Sequence, residues 1–140
     1  MSSTITVGHN FEAAHRLPHL PGKCQSLHGH SWWVDVTVAG DTDDDGVLVE
    51  FGTFKSMLRT WIDRHLDHGV ILGAEDPLVD VLPKYDTKVH VLPDWPTVEN
   101  VAAHLAEYAQ YVLDSSETPG AVVSHVEVTE TRTNKAAWRV

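Results

Sequence analysis

The feature that most restricts this chain is a switch in hydrophobic period. From Thr4 to Arg16, the residues Ile5, Val7, His9, Phe11, Ala13 and His15 fall at every second position, the repeat of a half-buried strand. A second alternating segment, from His30 to Ala39, puts Trp32, Val34, Val36 and Val38 on one face and Trp33, Asp35 and Thr37 on the other. It runs into the acidic turn Asp41-Thr42-Asp43-Asp44-Asp45-Gly46, after which Val47 to Phe51 reads as a short returning strand. From Phe54 the spacing becomes Phe54, Met57, Leu58, Trp61, Ile62 and His65, the stripe of an amphipathic helix that Thr53 can cap.

The stretch from Gly69 to Trp95 reads as an irregular, functional loop, with a helical turn after Pro77 and an extended piece at Lys88 to Leu92. Four of the chain's seven prolines, Pro77, Pro83, Pro93 and Pro96, lie in it or just past its end. A second helix starts at Thr97 and buries Val98, Val101, Ala102, Leu105, Tyr108, Ala109 and Val112. Alternation returns over Val122 to Thr131, and Thr133-Asn134-Lys135 turns the chain into a last strand ending at Val140. The predicted architecture is therefore α+β: one domain over residues 1–140, a four-stranded antiparallel sheet in the order ββααββ, and both helices on one face. Open sheet edges are normally blunted or paired with another copy, so a homo-oligomer is expected.

Composition narrows the function classes. Twenty acidic against ten basic residues give a formal charge of -10, a field that repels phosphate backbones and anionic membranes. Neither nucleic acid nor membrane is an expected partner. No apolar run is long enough for a membrane helix, and Met1-Ser2-Ser3-Thr4 has no basic head, so the expected location is cytoplasmic. The single cysteine, Cys24, forbids an intrachain disulfide and any multi-thiolate zinc site. A bound metal must therefore be held by histidine and carboxylate, and the chain has ten histidines.

The densest chemical signal is Cys24-Gln25-Ser26-Leu27-His28-Gly29-His30. In extended backbone His28 and His30 point to one side, either as two ligands of one cation or as a solvated strand end. A third imidazole would complete the three-ligand, one-open-position geometry of catalytic zinc, and His15 is the candidate if the first two strands pair. Cys24 reads either as a thiol activated by a nearby cation or as a small core residue. In His65-Leu66-Asp67-His68, His65 falls on the apolar side as a structural histidine. Asp67 can orient His68 for proton transfer only if the helix has already ended. Glu130 shares a face with Val126 and Val128, so it meets a cation, is kept for a ligand with two parallel N–H donors, or frays into solvent. The acidic turn is not a calcium loop, because Gly52 stands at the twelfth position where a bidentate glutamate is required.

Phe11-Glu12-Ala13-Ala14-His15-Arg16-Leu17, the block from Cys24 to His30 with Ser31 after it, Leu66-Asp67-His68, Pro96-Thr97-Val98-Glu99-Asn100 and Glu130-Thr131 together resemble the 6-pyruvoyltetrahydropterin synthase / 6-carboxytetrahydropterin synthase family. The match runs in family order across nearly the whole chain. The short spacing from Cys24 to His28 resembles that of the 6-carboxytetrahydropterin synthase branch. The resemblance implies the tunnelling fold, in which subunits assemble into a barrel, as a hexamer or tetramer. It also implies zinc as cofactor, a pterin triphosphate substrate, and a lyase reaction serving queuosine and other 7-deazapurines. Carried over, His15, His28 and His30 are the zinc ligands, Cys24 is the proton acceptor, and Asp67 and His68 are its relay partners. Glu130 anchors the pterin ring, and Thr97 and Glu99 are further substrate contacts. Arg16, Lys23, Lys55 and Arg132 are the candidate triphosphate cations. Glu50-Phe51 departs from the family's frequent Asp-Phe, and the loop from Gly69 to Trp95 is long for the family. The rival readings are a pyruvoyl synthase and a non-catalytic zinc-stabilised binding domain, in which Cys24 would have to be the fourth ligand.

Overall fold

The computed structural model describes residues 2–116, 118 and 120–140. Its first two alternating segments pair as a long antiparallel hairpin, β1 (Ser2–His15) with β2 (His28–Asp41). The register places Val7 opposite Val36, Phe11 opposite Trp32, Ala13 opposite His30 and His15 opposite His28. Ile5, Val7 and Phe11 thus meet Val38, Val36 and Trp32 on the buried face, which is what fixes a register when one face is buried. Phe11 stacks on Trp32 at 5.8 Å, and the Trp32 indole N–H donates to the Ala13 carbonyl at 3.0 Å.

The helix α1 (Phe51–His65) follows, then β3 (Gly69–Gly73), β4 (Val89–Leu92), α2 (Val98–Ser115), β5 (Val122–Thr129) and β6 (Lys135–Arg139). The sheet has six strands in the order β4-β3-β1-β2-β5-β6. It is mixed: β3 runs parallel to both β1 and β4, and the other pairings are antiparallel. Phe54, Leu58 and Ile62 of α1 and Val101, Ala102, Leu105, Ala109 and Val112 of α2 join Val7, Phe11, Trp32, Val36, Val126 and Val128 in one core.

Three expectations are corrected here. The sheet is neither four-stranded nor purely antiparallel, and the order is ββαββαββ, because two strands lie within the stretch read as a loop. β3 is buried along its whole length and β4 forms the edge beside it; the turn after Pro77 and the extended piece before Leu92 are both present. Val47 to Phe51 is not a strand. Val49 is buried in the core, while the Glu50 carboxylate accepts from the backbone N–H groups of Gly52 and Thr53 and so starts α1 at Phe51. Glu50, not Thr53, is therefore the cap, and those two bonds lower the Glu50 pKa together with a side-chain bond from Thr53, the largest cause. The second helix, expected to start at Thr97, starts at Val98, and Thr97 is its cap, accepting from Asn100 N–H at 3.1 Å.

Candidate active site

The hairpin register brings the histidines together. His15 and His28 face each other across β1 and β2, and His30 lies two residues along on the same face. One ring nitrogen from each lies within 4.8 Å of the other two, and the ring centroids are 4.7, 4.9 and 5.1 Å apart. Trp32 stands edge-on to His15 and His30 and forms the apolar wall behind them.

Backbone carbonyls set the ring orientation. His15 Nδ1 lies 2.8 Å from the Pro96 carbonyl and His28 Nδ1 lies 2.6 Å from the Ser26 carbonyl. A carbonyl only accepts, so each Nδ1 carries the proton and each Nε2 keeps a free lone pair. His15 Nε2 and His30 Nε2 are buried without a hydrogen-bond partner. Burial lowers the pKa of His15 to about 4, chiefly by desolvation, and lowers that of His30 for the same reason. Both are neutral imidazoles at neutral pH, the form that ligates a cation. Buried, converging and unsatisfied nitrogens of this kind could hold a metal ion. Orphaned Nε2 atoms also occur on His9 and His125. Those two carry no such reading, because neither belongs to a converging set among the described residues.

Glu130 lies just past β5, where its N–H bonds to the Asn134 carbonyl. Its carboxylate oxygens are 3.7 Å from His15 Nε2 and 3.6 Å from His30 Nε2. The sequence left three fates open for Glu130, and the structure turns it toward the histidines.

The helix α1 ends before Asp67, which is the condition the Asp67–His68 pair required. Asp67 Oδ2 is 2.9 Å from His68 Nδ1, and Asp67 Oδ1 accepts from the Glu12 N–H at 2.9 Å. Partial burial pushes the Asp67 carboxyl up, but the bonds from Glu12 and His68 and the nearby Arg59 charge outweigh it and hold it below its ordinary value. His68 is exposed and lines an open depression of about 350 Å³ with Glu12, Gly29, His30 and Ser31.

Cys24 sits in a short 3₁₀ turn between β1 and β2 and is exposed, so it is not a core residue. Its sulfur is not part of the converging ligand set. Among the described residues no hydrogen bond joins Cys24 to the histidines or to the Asp67–His68 pair. The structure thus brings Glu130 beside His15 and His30 and pairs Asp67 with His68, and Cys24 belongs to neither group. Thr97 is engaged as a helix cap and Glu99 is exposed on the first turn of α2. Arg16 is tied by two bonds, at 2.8 and 2.6 Å, to a fully buried Asp76, so its charge is already matched and it is the weakest of the four triphosphate candidates. The carbonyls of Ser26 and Pro96 escaped sequence reading, since a backbone acceptor leaves no residue signature.

The 6-pyruvoyl tetrahydropterin synthase family model matches residues 4–139. The curated 6-carboxy-5,6,7,8-tetrahydropterin synthase of Rickettsia bellii is 39% identical over 98 residues, covering 68% of this chain and 71% of that protein. Among solved structures, an uncharacterized protein from Wolinella succinogenes has a TM-score of 0.83 at 21% identity, covering 99% of this chain and 98% of that one. The 6-pyruvoyltetrahydropterin synthase of Plasmodium vivax has a TM-score of 0.77 at 20% identity, covering 100% of this chain and 98% of that one. These two likenesses speak for the fold, and the family match extends over almost the full sequence. With the site built on the residues that carried the resemblance, this chain belongs to the 6-pyruvoyl tetrahydropterin synthase family.

Proposed function

We propose that this chain is a zinc-dependent 6-carboxytetrahydropterin synthase. It would convert 7,8-dihydroneopterin triphosphate and one water into 6-carboxy-5,6,7,8-tetrahydropterin, acetaldehyde and triphosphate, a step toward queuosine and related 7-deazapurines. The observation that carries this reading is the set of three converging histidines, two of them with the proton tied to a backbone carbonyl and the Nε2 lone pair free. The relatives named 6-carboxy-5,6,7,8-tetrahydropterin synthase favour this branch of the family.

His15, His28 and His30 would hold the zinc, which supplies Lewis acidity toward the hydroxyls of the substrate side chain and so acidifies the neighbouring protons. Cys24, as thiolate, accepts a proton from the side-chain carbon. His68, kept in one orientation by Asp67, returns protons to departing groups. Glu130 accepts two parallel N–H bonds from the amino-pyrimidine edge. Thr97 and Glu99 flank the Pro96 support of His15 and contact the substrate, and Lys23, Lys55 and Arg132 are the cations left for its triphosphate. The free edges at β4 and β6 suit assembly into a hexamer or tetramer.

Product analysis tests the reaction. Zinc-loaded protein given 7,8-dihydroneopterin triphosphate is expected to release acetaldehyde and a 6-carboxy product. A 6-pyruvoyl product without acetaldehyde would instead assign the activity named for the Plasmodium vivax neighbour. Chelation separates both from a zinc-stabilised binding domain: activity should vanish while circular dichroism stays native, whereas a structural site would unfold. The place of Cys24 outside the ligand set supports the catalytic alternative. Cys24→Ala is accordingly expected to keep full zinc content and lose about 10²-fold or more in turnover.

A further inference from the structure

The dipeptide Trp95-Pro96 touches both halves of the candidate site. The Pro96 carbonyl holds His15 Nδ1 at 2.8 Å. The Trp95 carbonyl accepts from Asn100 Nδ2 and from Thr97 N–H, both at 2.8 Å, so the dipeptide is bonded to the capped first turn of α2. Gly73, at the end of β3, gives the indole its room: a Cβ there would lie 2.8 Å from Trp95 Cε3. The indole stacks on His19, with ring centroids 4.8 Å apart and planes 14° from parallel. His19 belongs to the β1–β2 connection that carries Cys24. Within that connection the Leu17 N–H bonds to the Cys24 carbonyl at 2.6 Å and the Leu20 N–H to the Leu17 carbonyl at 3.1 Å.

One rigid dipeptide therefore grips a metal-ligand histidine through its second residue and the cysteine-bearing loop through its first. We infer that Trp95 is a positioning residue: by docking His19 it sets where the Cys24 thiol stands relative to the cation held by His15, His28 and His30. This rests on the proposed function for its chemical meaning, but its geometry is independent of the substrate. A thiol near a dication ionises more readily, and the effect falls off as the separation grows. A misplacement of about 1 Å can cost two orders of magnitude in turnover.

The test uses full-length zinc-loaded protein carrying Trp95→Leu, Trp95→Phe or His19→Ala, with zinc content measured for each. His19 is exposed, so His19→Ala reports on the stack even if Trp95→Leu folds poorly. The readouts are the pH profile of Cys24 alkylation by iodoacetamide and the separate kcat and KM values. Trp95→Leu and His19→Ala are expected to keep one zinc per chain, to shift the alkylation profile upward by roughly one pH unit, and to lower kcat about tenfold or more with KM little changed. Trp95→Phe, which keeps a flat ring, should recover most of both, and the His19→Ala/Trp95→Leu double variant should be no worse than either single variant. An alkylation profile identical to wild type in His19→Ala, or no recovery in Trp95→Phe, overturns the inference. If the wild-type protein makes no tetrahydropterin product, the functional reading fails, and the alkylation and zinc measurements still decide the positioning role.

Discussion

His68 adopts a backbone conformation that a helix exit normally gives to glycine. Its φ is 60°, in the left-handed region, where a side chain costs about 1–2 kcal/mol. The residue is held there by its N–H bond to the Glu12 carbonyl and by the Asp67 carboxylate at its ring. Strain of this kind persists where the surroundings over-determine it, and it gathers at functional positions. His68→Gly separates the two aspects. The variant is expected to unfold at a slightly higher urea concentration, a gain of up to about 1 kcal/mol once the extra chain entropy of glycine is set against the relief of strain. Its turnover should fall by about 10²-fold or more, because the proton carrier is gone. A lower urea midpoint would show that the ring and its bonds stabilise the turn more than φ costs. Undiminished turnover would remove His68 from the proposed relay.

At the scale of elements, the long hairpin was legible and the strands of the 69–95 stretch were not, for reasons visible in single residues. Ile5 to His15 and Trp32 to Val38 alternate because one face of β1 and β2 is buried and the other open, and that alternation sets the register that brings His15 opposite His28. The run Gly69-Val70-Ile71-Leu72-Gly73 does not alternate, since β3 lies between β1 and β4 and is buried throughout. Such interior parallel strands lose the period-two signal, and the nearby prolines made the segment look irregular. The missed start of α1 has a different origin: a capping carboxylate at Glu50 was read as part of a strand because Val49 beside it is apolar and buried. The assignment of β3 to the core is measurable. Leu72 is 0% exposed, so Leu72→Ala is expected to cost about 2–5 kcal/mol in urea unfolding, with the slope on denaturant unchanged. A cost below about 1 kcal/mol would mean that the site can collapse, or that β3 frays from the sheet.

For the whole molecule, α1, α2 and the β4 edge are joined by a second histidine group that has no part in the proposed chemistry. His90 Nε2 on β4 lies 2.9 Å from His104 Nε2 on α2, and Trp61 packs against both rings. His65 and Trp61 face this pair from α1, and Glu107 and Tyr108 lie beside it on α2. A hydrogen bond between two imidazole nitrogens needs one of them unprotonated. Burial, then the neighbouring His104 and His65, lowers His90 from 6.5 to about 4. Burial also lowers His104, against the opposing pull of Glu107. Because the folded pKa of His90 lies below the unfolded value, the unfolded chain binds more protons between about 4 and 6.5, and stability must rise with pH across that window. The contribution is complete above 6.5 and is lost as pH falls toward about 4. His104→Gln replaces the titrating partner with an amide that can still bond His90, so the urea midpoint of the variant should fall less than that of wild type between pH 7.5 and pH 5. Both proteins are compared in the same metal state, so that the titration of His15 and His30 cancels in the difference. An equal fall in the two would show that His104 and His90 do not link β4 and α2 to pH, and would leave the acid sensitivity of the fold to the buried histidines of β1 and β2.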